Sequence, residues 1–201
     1  MDAYEAIASR CSLRQLDKWP VPSELIDKLL YVACRAPAPH HARPWRFVVV
    51  ETVESRQRLS DRMGAAWRRD LERDGVPPAQ IDALLAKSRR QIDEAPALLL
   101  ACLVREGLRD WPDERRQRAE WGMAQQSLGC ALENIMVAAH ALGLATYWIS
   151  APLFAPDAVR EALDLPADYV AQALVVAGYP QPGVAPRTRL EPDVSKLVER
   201  R

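Results

Sequence analysis

GCALENIMVAAHALGLATYWIS, residues 129–150, runs a helical pattern straight into a strand pattern. From Leu128 to Leu142 apolar and small residues fall on most faces, which suits a helix buried centrally or between subunits. Gly143 stands where a left-handed residue ends a helix. ATYWIS then alternates as a strand does. Traced backwards, the helix reaches about Arg116, which makes it the longest in the chain and the element around which the others are arranged.

Working outward, ALLLACLV (97–104) reads as a second buried strand, followed by the polar loop REGLRDWPDERR. RFVVVE (46–51) is a short β-branched strand expected to be buried on both faces. Two charged helical stretches, Glu54 to Asp74 and Ala79 to Asp93, are separated by DGVPP and read as a surface hairpin. Beyond the opening stretch, APDAVREALDLP is a helix with Pro156 near its start, and QALVVAGY is a fourth strand. At the other end, residues 2–9 form a short helix. PVPSELIDKLLYVACRAP forms another, with Ser23 as N-cap and Leu25, Leu29, Leu30 and Ala33 as its apolar stripe. Helices and strands alternate without internal repeats or a low-complexity linker, which predicts an α/β or α+β architecture with a small sheet wrapped by helices, in a single domain over 1–201.

The 201 residues are 49% hydrophobic, enough for a substantial core, and Lys plus Arg equals Asp plus Glu at 27 each. That balance gives no broad attraction to nucleic acid or an anionic membrane, so any anion must be bound locally. No run of about 20 apolar residues is present, and MDAYEAIASR lacks the order of a secretory signal. The expectation is a soluble, cytoplasmic protein. Cys11, Cys34, Cys102 and Cys130 are widely spaced without a C-x-x-C pair, and are expected to be reduced, buried small residues.

In RCSLR, Arg10, Ser12 and Arg14 alternate, which in an extended chain places all three on one face, and two guanidiniums beside a hydroxyl suit a phosphate. The tail repeats the device at Arg187 and Arg189. Spacing alone leaves open that these are solvated arginine pairs. His40 and His41, in APAPHHARPWRFVVV, have no further ligands at metal spacing, since the only other histidine is His140, read as a helix residue with a satisfied hydrogen bond. No metal site is expected. Ser127 and Ser150 lack a G-x-S-x-G setting, and neither G-x-G-x-x-G nor a P-loop is present.

Taken together and in order, SRCSLRQL, PVPSELIDKLLYVACRAPAPHHARPWRFVVV, GCALENIMVAAHALGLATYWIS, VVAGYP and PRTRLEP resemble the flavin-dependent nitroreductase family over essentially the whole chain. The resemblance implies an α+β fold with a small mixed sheet surrounded by helices, and a long central helix at the interface of a homodimer. It also implies FMN in pockets between the subunits, and ping-pong hydride chemistry with NAD(P)H as a donor. By this resemblance Arg10, Cys11, Ser12 and Arg14, with Arg187 and Arg189, meet the FMN phosphate. Pro37, Ala38, Pro39 and His41 approach the flavin from the partner subunit. Trp148, Ile149, Ser150 and Ala151 lie beside flavin N5. His40 and His41 are read either as a proton donor or substrate contact, or as residues that simply fill the loop.

Within the family, APAPHHARP, DRMGAAWRRDLERDG, WPDERR and FAPDAVREALDLPADY resemble the C-terminal nitroreductase-like domain of the ligase that builds the deazaflavin coenzyme F-420. That implies reduction of a dehydro precursor of the coenzyme, in a free-standing relative or an excised domain with a functional link to a separate F-420 ligase. The alternatives are a general NAD(P)H-dependent nitro or quinone reductase, a non-catalytic flavin or deazaflavin carrier, and a dimeric helical module with no cofactor. Three positions depart from the family pattern. Cys11 stands where a second arginine is frequent, Ser150 where glycine is frequent, and Pro152 removes a backbone donor nearby.

Overall fold

In the computed structural model, which describes residues 1–184 and 190–201, two strands form the buried centre of the sheet. β2 (Ala97–Leu103) and β4 (Val170–Gly178) are buried almost end to end, while β1 (Trp45–Val49) and β3 (Ala145–Ile149) lie at the edges in the order β1-β2-β4-β3. All three pairings are antiparallel. The mixed character expected of the sheet rests on the N-terminal segment, where Ser12 bridges Thr146 of β3 in parallel and Leu13 N–H donates to the Thr146 carbonyl at 3.1 Å.

Period-two alternation in β2 explains the layers. Ala97, Leu99, Ala101 and Leu103 face a core shared with α2 (Ser23–Ala33) and α5 (Glu114–Ala141). Leu98, Leu100 and Cys102 face a second core closed by Leu59 and Met63 of α3 (Val53–Arg73), Ile92 of α4 (Pro78–Asp93) and Val159 of α6 (Pro156–Ala162). A strand with helices on both faces needs an unbroken apolar run, which is what ALLLACL supplies.

α5 presents Leu128, Leu132 and Ile135 to the sheet. His140 near its end shares a 2.8 Å hydrogen bond between Nε2 and Ser9 Oγ at the close of α1 (Ala3–Ser9), as expected of a satisfied helix histidine. The α3–α4 hairpin is stitched by Arg68 to Asp82 at 2.6 Å and Arg89 to Asp61 at 2.7 Å.

Three local expectations are corrected. Pro22, not Ser23, occupies the N-cap of α2, because a residue fixed near φ −65° with extended ψ enters a helix without strain, and Ser23 becomes its first residue. β1 is half-buried beyond Trp45, as an edge strand paired on one side only. Only Cys102 is a buried thiol; burial pushes its pKa up to about 12. Cys34 lies exposed at the end of α2, Cys130 is exposed on α5, and Cys11 is half-buried; all four are free.

Candidate functional site

The N-terminal segment gives its two arginines different neighbours. Arg10 turns to α5, its Nε 3.1 Å from Glu133 with a side chain only 14% exposed. Arg14 lies over the Tyr147 ring, 5.6 Å from guanidinium carbon to ring centroid. The segment makes isolated bridges at Ser12 to Thr146 of β3 and at Leu16 to Pro180. Tyr147 itself is buried: its hydroxyl donates to the Gln91 carbonyl at 3.4 Å, and burial raises its pKa to about 12 against the opposing charge of Arg14.

Arg14 also opens onto a cavity of about 780 Å³, within the range of small-molecule and cofactor sites. Ile149, Ser150 and Ala151 at the end of β3 line it, so the structure brings one of the predicted arginines to the predicted strand end. Its walls are Met63 and Trp67 of α3, Leu84 of α4, and Phe154; its polar groups include Lys87, Ser88, Gln91, Asp70 and Asp74. In the sequence DRMGAAWRRDLERDG stands out only for its subgroup resemblance, and none of these hairpin residues is named as a site residue, since the hairpin reads as surface.

Two of the departures from the family pattern are absorbed locally. Ser150 has φ −88° and ψ 1°, which any L-residue adopts, so no glycine is required there. Pro152 falls at the start of a 3-10 turn, Ala151–Phe154, where a missing N–H costs no internal bond. Trp148 carries a buried indole N–H with no hydrogen-bond partner among the described residues, a state that costs about 1–3 kcal/mol in a buried donor.

The proline loop lies elsewhere. Pro37, Ala38 and His41 line a second groove of about 360 Å³ together with Cys34, Arg35, Ala36 and Arg43, and share no lining residue with the first cavity. Pro39 to His41 form a 3-10 turn, and His40, His41 and Arg43 all have positive φ, at 54°, 56° and 48°. For residues with a Cβ such a conformation costs on the order of 1 kcal/mol each, and it persists only where surrounding structure enforces it.

That structure is the loop after β2. Gly107, at φ 79°, backs onto the turn so closely that a Cβ there would stand 2.9 Å from the Ala42 carbonyl oxygen. Nη2 of Arg109 lies 3.4 Å from His40 Nδ1, and its backbone N–H donates to Glu120 Oε1 at 3.1 Å. Trp111 Nε1–H donates to Glu120 Oε2 at 3.0 Å, while Arg116 stacks on the Trp111 ring at 4.9 Å. Glu120 is 2% exposed. The Trp111 and Arg109 hydrogen bonds hold its carboxyl below the ordinary glutamate range, with the His40 and Arg109 charges acting in the same direction. Arg187 and Arg189 lie outside the described residues.

Solved structures share this architecture. The chain superposes on a BluB-like flavoprotein from Clostridium difficile 630 with a TM-score of 0.81, at 21% identity, covering 99% of this chain and 98% of that one. It superposes on an FMN-dependent nitroreductase from Clostridium difficile R20291 with a TM-score of 0.70, at 20% identity, covering 98% and 99%. The fold is therefore nitroreductase-like. A Methanothermobacter thermautotrophicus protein bearing the name NADH dehydrogenase/NAD(P)H nitroreductase is 27% identical over 195 residues, 96% of this chain and 85% of that protein. Residues 7–179, which span Arg14, the proline loop and both cavities, match the family described as Nitroreductase. The chain belongs to the nitroreductase family and is an oxidoreductase.

Proposed function

We propose that this protein is an FMN-dependent oxidoreductase working as a homodimer, and that it reduces a dehydro precursor of a deazaflavin coenzyme of the F-420 type. One observation carries the cofactor reading: Arg14, Lys87 and the end of β3 face a single cavity walled by Met63, Trp67, Leu84 and Phe154. The residues fit the group, since a flavin needs apolar walls for its rings and fixed positive charge where the reduced form becomes anionic. Bound FMN would supply the hydride chemistry.

The chain supplies the rest. Arg14 and Lys87 provide positive charge on a lining that also carries Asp70 and Asp74, the exposed Trp67 and Phe154 side chains offer apolar surface for the rings to cover, and the backbone at Ser150 and Ala151 offers hydrogen bonds to a ring edge. Arg10 and Ser12, beside the same segment, remain candidates for the phosphate, as do Cys11 through its backbone and Arg187 and Arg189. The homodimer reading is supported by the separation of the proline loop from the cavity, which leaves Pro37, Ala38, Pro39 and His41 free to serve a partner's site. Tyr4, Ile7, Trp19 and Tyr31, between 59% and 84% exposed on the side of α1 and α2, are apolar surface of the kind subunits cover. Four free thiols suit a reducing, cytoplasmic setting. No helix among the described residues is long and apolar enough to cross a membrane.

The substrate reading is supported by where the subgroup-like segments fall. DRMGAAWRRDLERDG supplies Met63, Trp67, Asp70 and Asp74 to the cavity, FAPDAV supplies Phe154 and Ala155, and WPDERR supplies Trp111 to the network behind the histidine turn. The second reading, a general NAD(P)H-dependent nitro or quinone reductase, is favoured by the name of the Methanothermobacter relative. Flavin absorption by the purified protein, with or without added FMN, tests the cofactor. A colourless protein that takes up no FMN favours the cofactor-free helical module, and a flavoprotein that no donor and acceptor turn over favours a carrier. Anaerobically reduced enzyme should then be reoxidised by the dehydro precursor; reoxidation by quinone and nitroaromatic alone selects the second reading.

Ser150→Gly should change FMN affinity by less than about twofold, because the residue already holds an unstrained conformation. A fluorescence titration measures it, and a tenfold gain would show that the serine side chain obstructs the cofactor.

A further inference from the structure

We infer that the groove beside the histidine turn is an anion subsite that selects acceptors carrying a carboxylate or phosphoryl group, an inference that rests on the flavin-reductase reading above. Arg35, His41 and Arg43 converge on it, and among the described residues no aspartate or glutamate lines it. Both arginines are exposed, and neither forms an ion pair with a described residue, although many of the chain's other arginines pair with carboxylates. Unpaired guanidiniums around a concavity present their forked donors to whatever enters it, and carboxylates and phosphates match that fork.

The backbone supports the same assignment. Glycine would satisfy the left-handed conformations at positions 41 and 43 without strain, so what His41 and Arg43 add at those positions is side-chain chemistry. The turn is braced by a hydrogen-bonded network, buried Glu120 with the backbone of Arg109 and the half-buried Trp111, behind His40. The backbone of the turn that carries His41 and leads into Arg43 is thereby braced before a ligand arrives. Because the proline loop is the part of the chain assigned to a partner's flavin, an anion held here lies on the acceptor molecule rather than on the cofactor of the same chain.

The test uses two quinones that accept the same electrons and differ in charge, 2-methyl-1,4-naphthoquinone and 1,4-naphthoquinone-2-sulfonate. Enzyme reduced with stoichiometric dithionite is mixed anaerobically with each, and the second-order rate constant of reoxidation is taken. In the Arg35→Gln/Arg43→Asn variant, where asparagine tolerates the positive φ, the ratio of the sulfonated to the neutral rate constant should fall about tenfold or more. Arg43→Lys, which restores charge, should recover part of it. In the wild type the ratio should fall as ionic strength rises. An unchanged ratio overturns the subsite, as does loss of bound flavin in the variant, which would give the groove to the cofactor's own phosphate. The wild-type flavin spectrum separates the failures. Flavin retained without charge discrimination overturns the subsite alone, whereas no flavin uptake overturns the cofactor reading and the subsite with it.

Discussion

Arg14→Ala should weaken FMN binding about tenfold to a hundredfold, since a hydrogen bond to a charged group contributes about 1.5–3 kcal/mol and each 1.4 kcal/mol is a factor of ten. Arg14 is the only residue of the RCSLR motif that lines the main cavity, and its guanidinium is fixed over the Tyr147 ring rather than tied to a carboxylate. Its charge is therefore available to a ligand. Removing it forfeits a cation–π contact worth roughly 0.5–1 kcal/mol at an exposed site, so the variant should fold and the binding loss be readable. Arg10→Ala should do less, because Glu133 already pairs with the Arg10 guanidinium. Flavin fluorescence titration of the apoprotein gives both constants. Equal retention by Arg14→Ala and wild type, at matched melting temperatures, would remove Arg14 from the cofactor site; a larger loss in Arg10→Ala would reverse the order of the two arginines.

That order was not legible in the sequence, and the reason is physical. Which neighbour each arginine meets is set by tertiary packing, Glu133 of α5 for Arg10 and Tyr147 of β3 for Arg14, and no spacing within RCSLR encodes it. The strands were legible because burial on both faces of β2 and β4 demands an unbroken apolar run, and the ends of α5 because Gly143, at φ 79°, fits the left-handed stop. The α3–α4 hairpin was legible as a pair of helices but not as a cavity wall. Its lining residues, Met63, Trp67, Leu84 and Lys87, show no motif spacing and meet Arg14 and Ile149 only through tertiary packing. The thiols misled because hydrophobicity alone does not say which face of α5 meets the sheet: Leu128 and Ile135 do, and Cys130 does not.

Glu120 was hidden for a related reason. A glutamate seven residues into a charged helical stretch reads as solvated, yet it is buried, with both oxygens engaged by donors from the loop after β2. Glu120→Ala removes the acceptor of the Arg109 N–H and of the Trp111 indole N–H; Arg109 is exposed and Trp111 half-buried, so water replaces part of what is lost and the loss should be about 1–3 kcal/mol. Glu120→Gln should cost roughly half as much, because the amide oxygen still accepts one bond while its NH₂ opposes the other donor. The pH dependence carries a sign. The folded-state pKa lies below the ordinary glutamate value of 4.5, so the carboxylate's stabilisation is complete above about pH 4.5 and is lost as pH falls through the lower folded value. Urea unfolding should thus show the wild type well above Glu120→Gln at pH 7, with the gap narrowing below pH 4.5. A gap independent of pH would mean that the charge contributes nothing and the glutamate merely fills space. Because the same carboxylate anchors Arg109 against His40, and Gly107 packs on Ala42 in that loop, loosening Glu120 should release the strained turn as well. In Glu120→Gln the discrimination between sulfonated and neutral quinones should therefore decline while Arg35 and Arg43 remain intact, which separates the holding of the turn from the charge it presents.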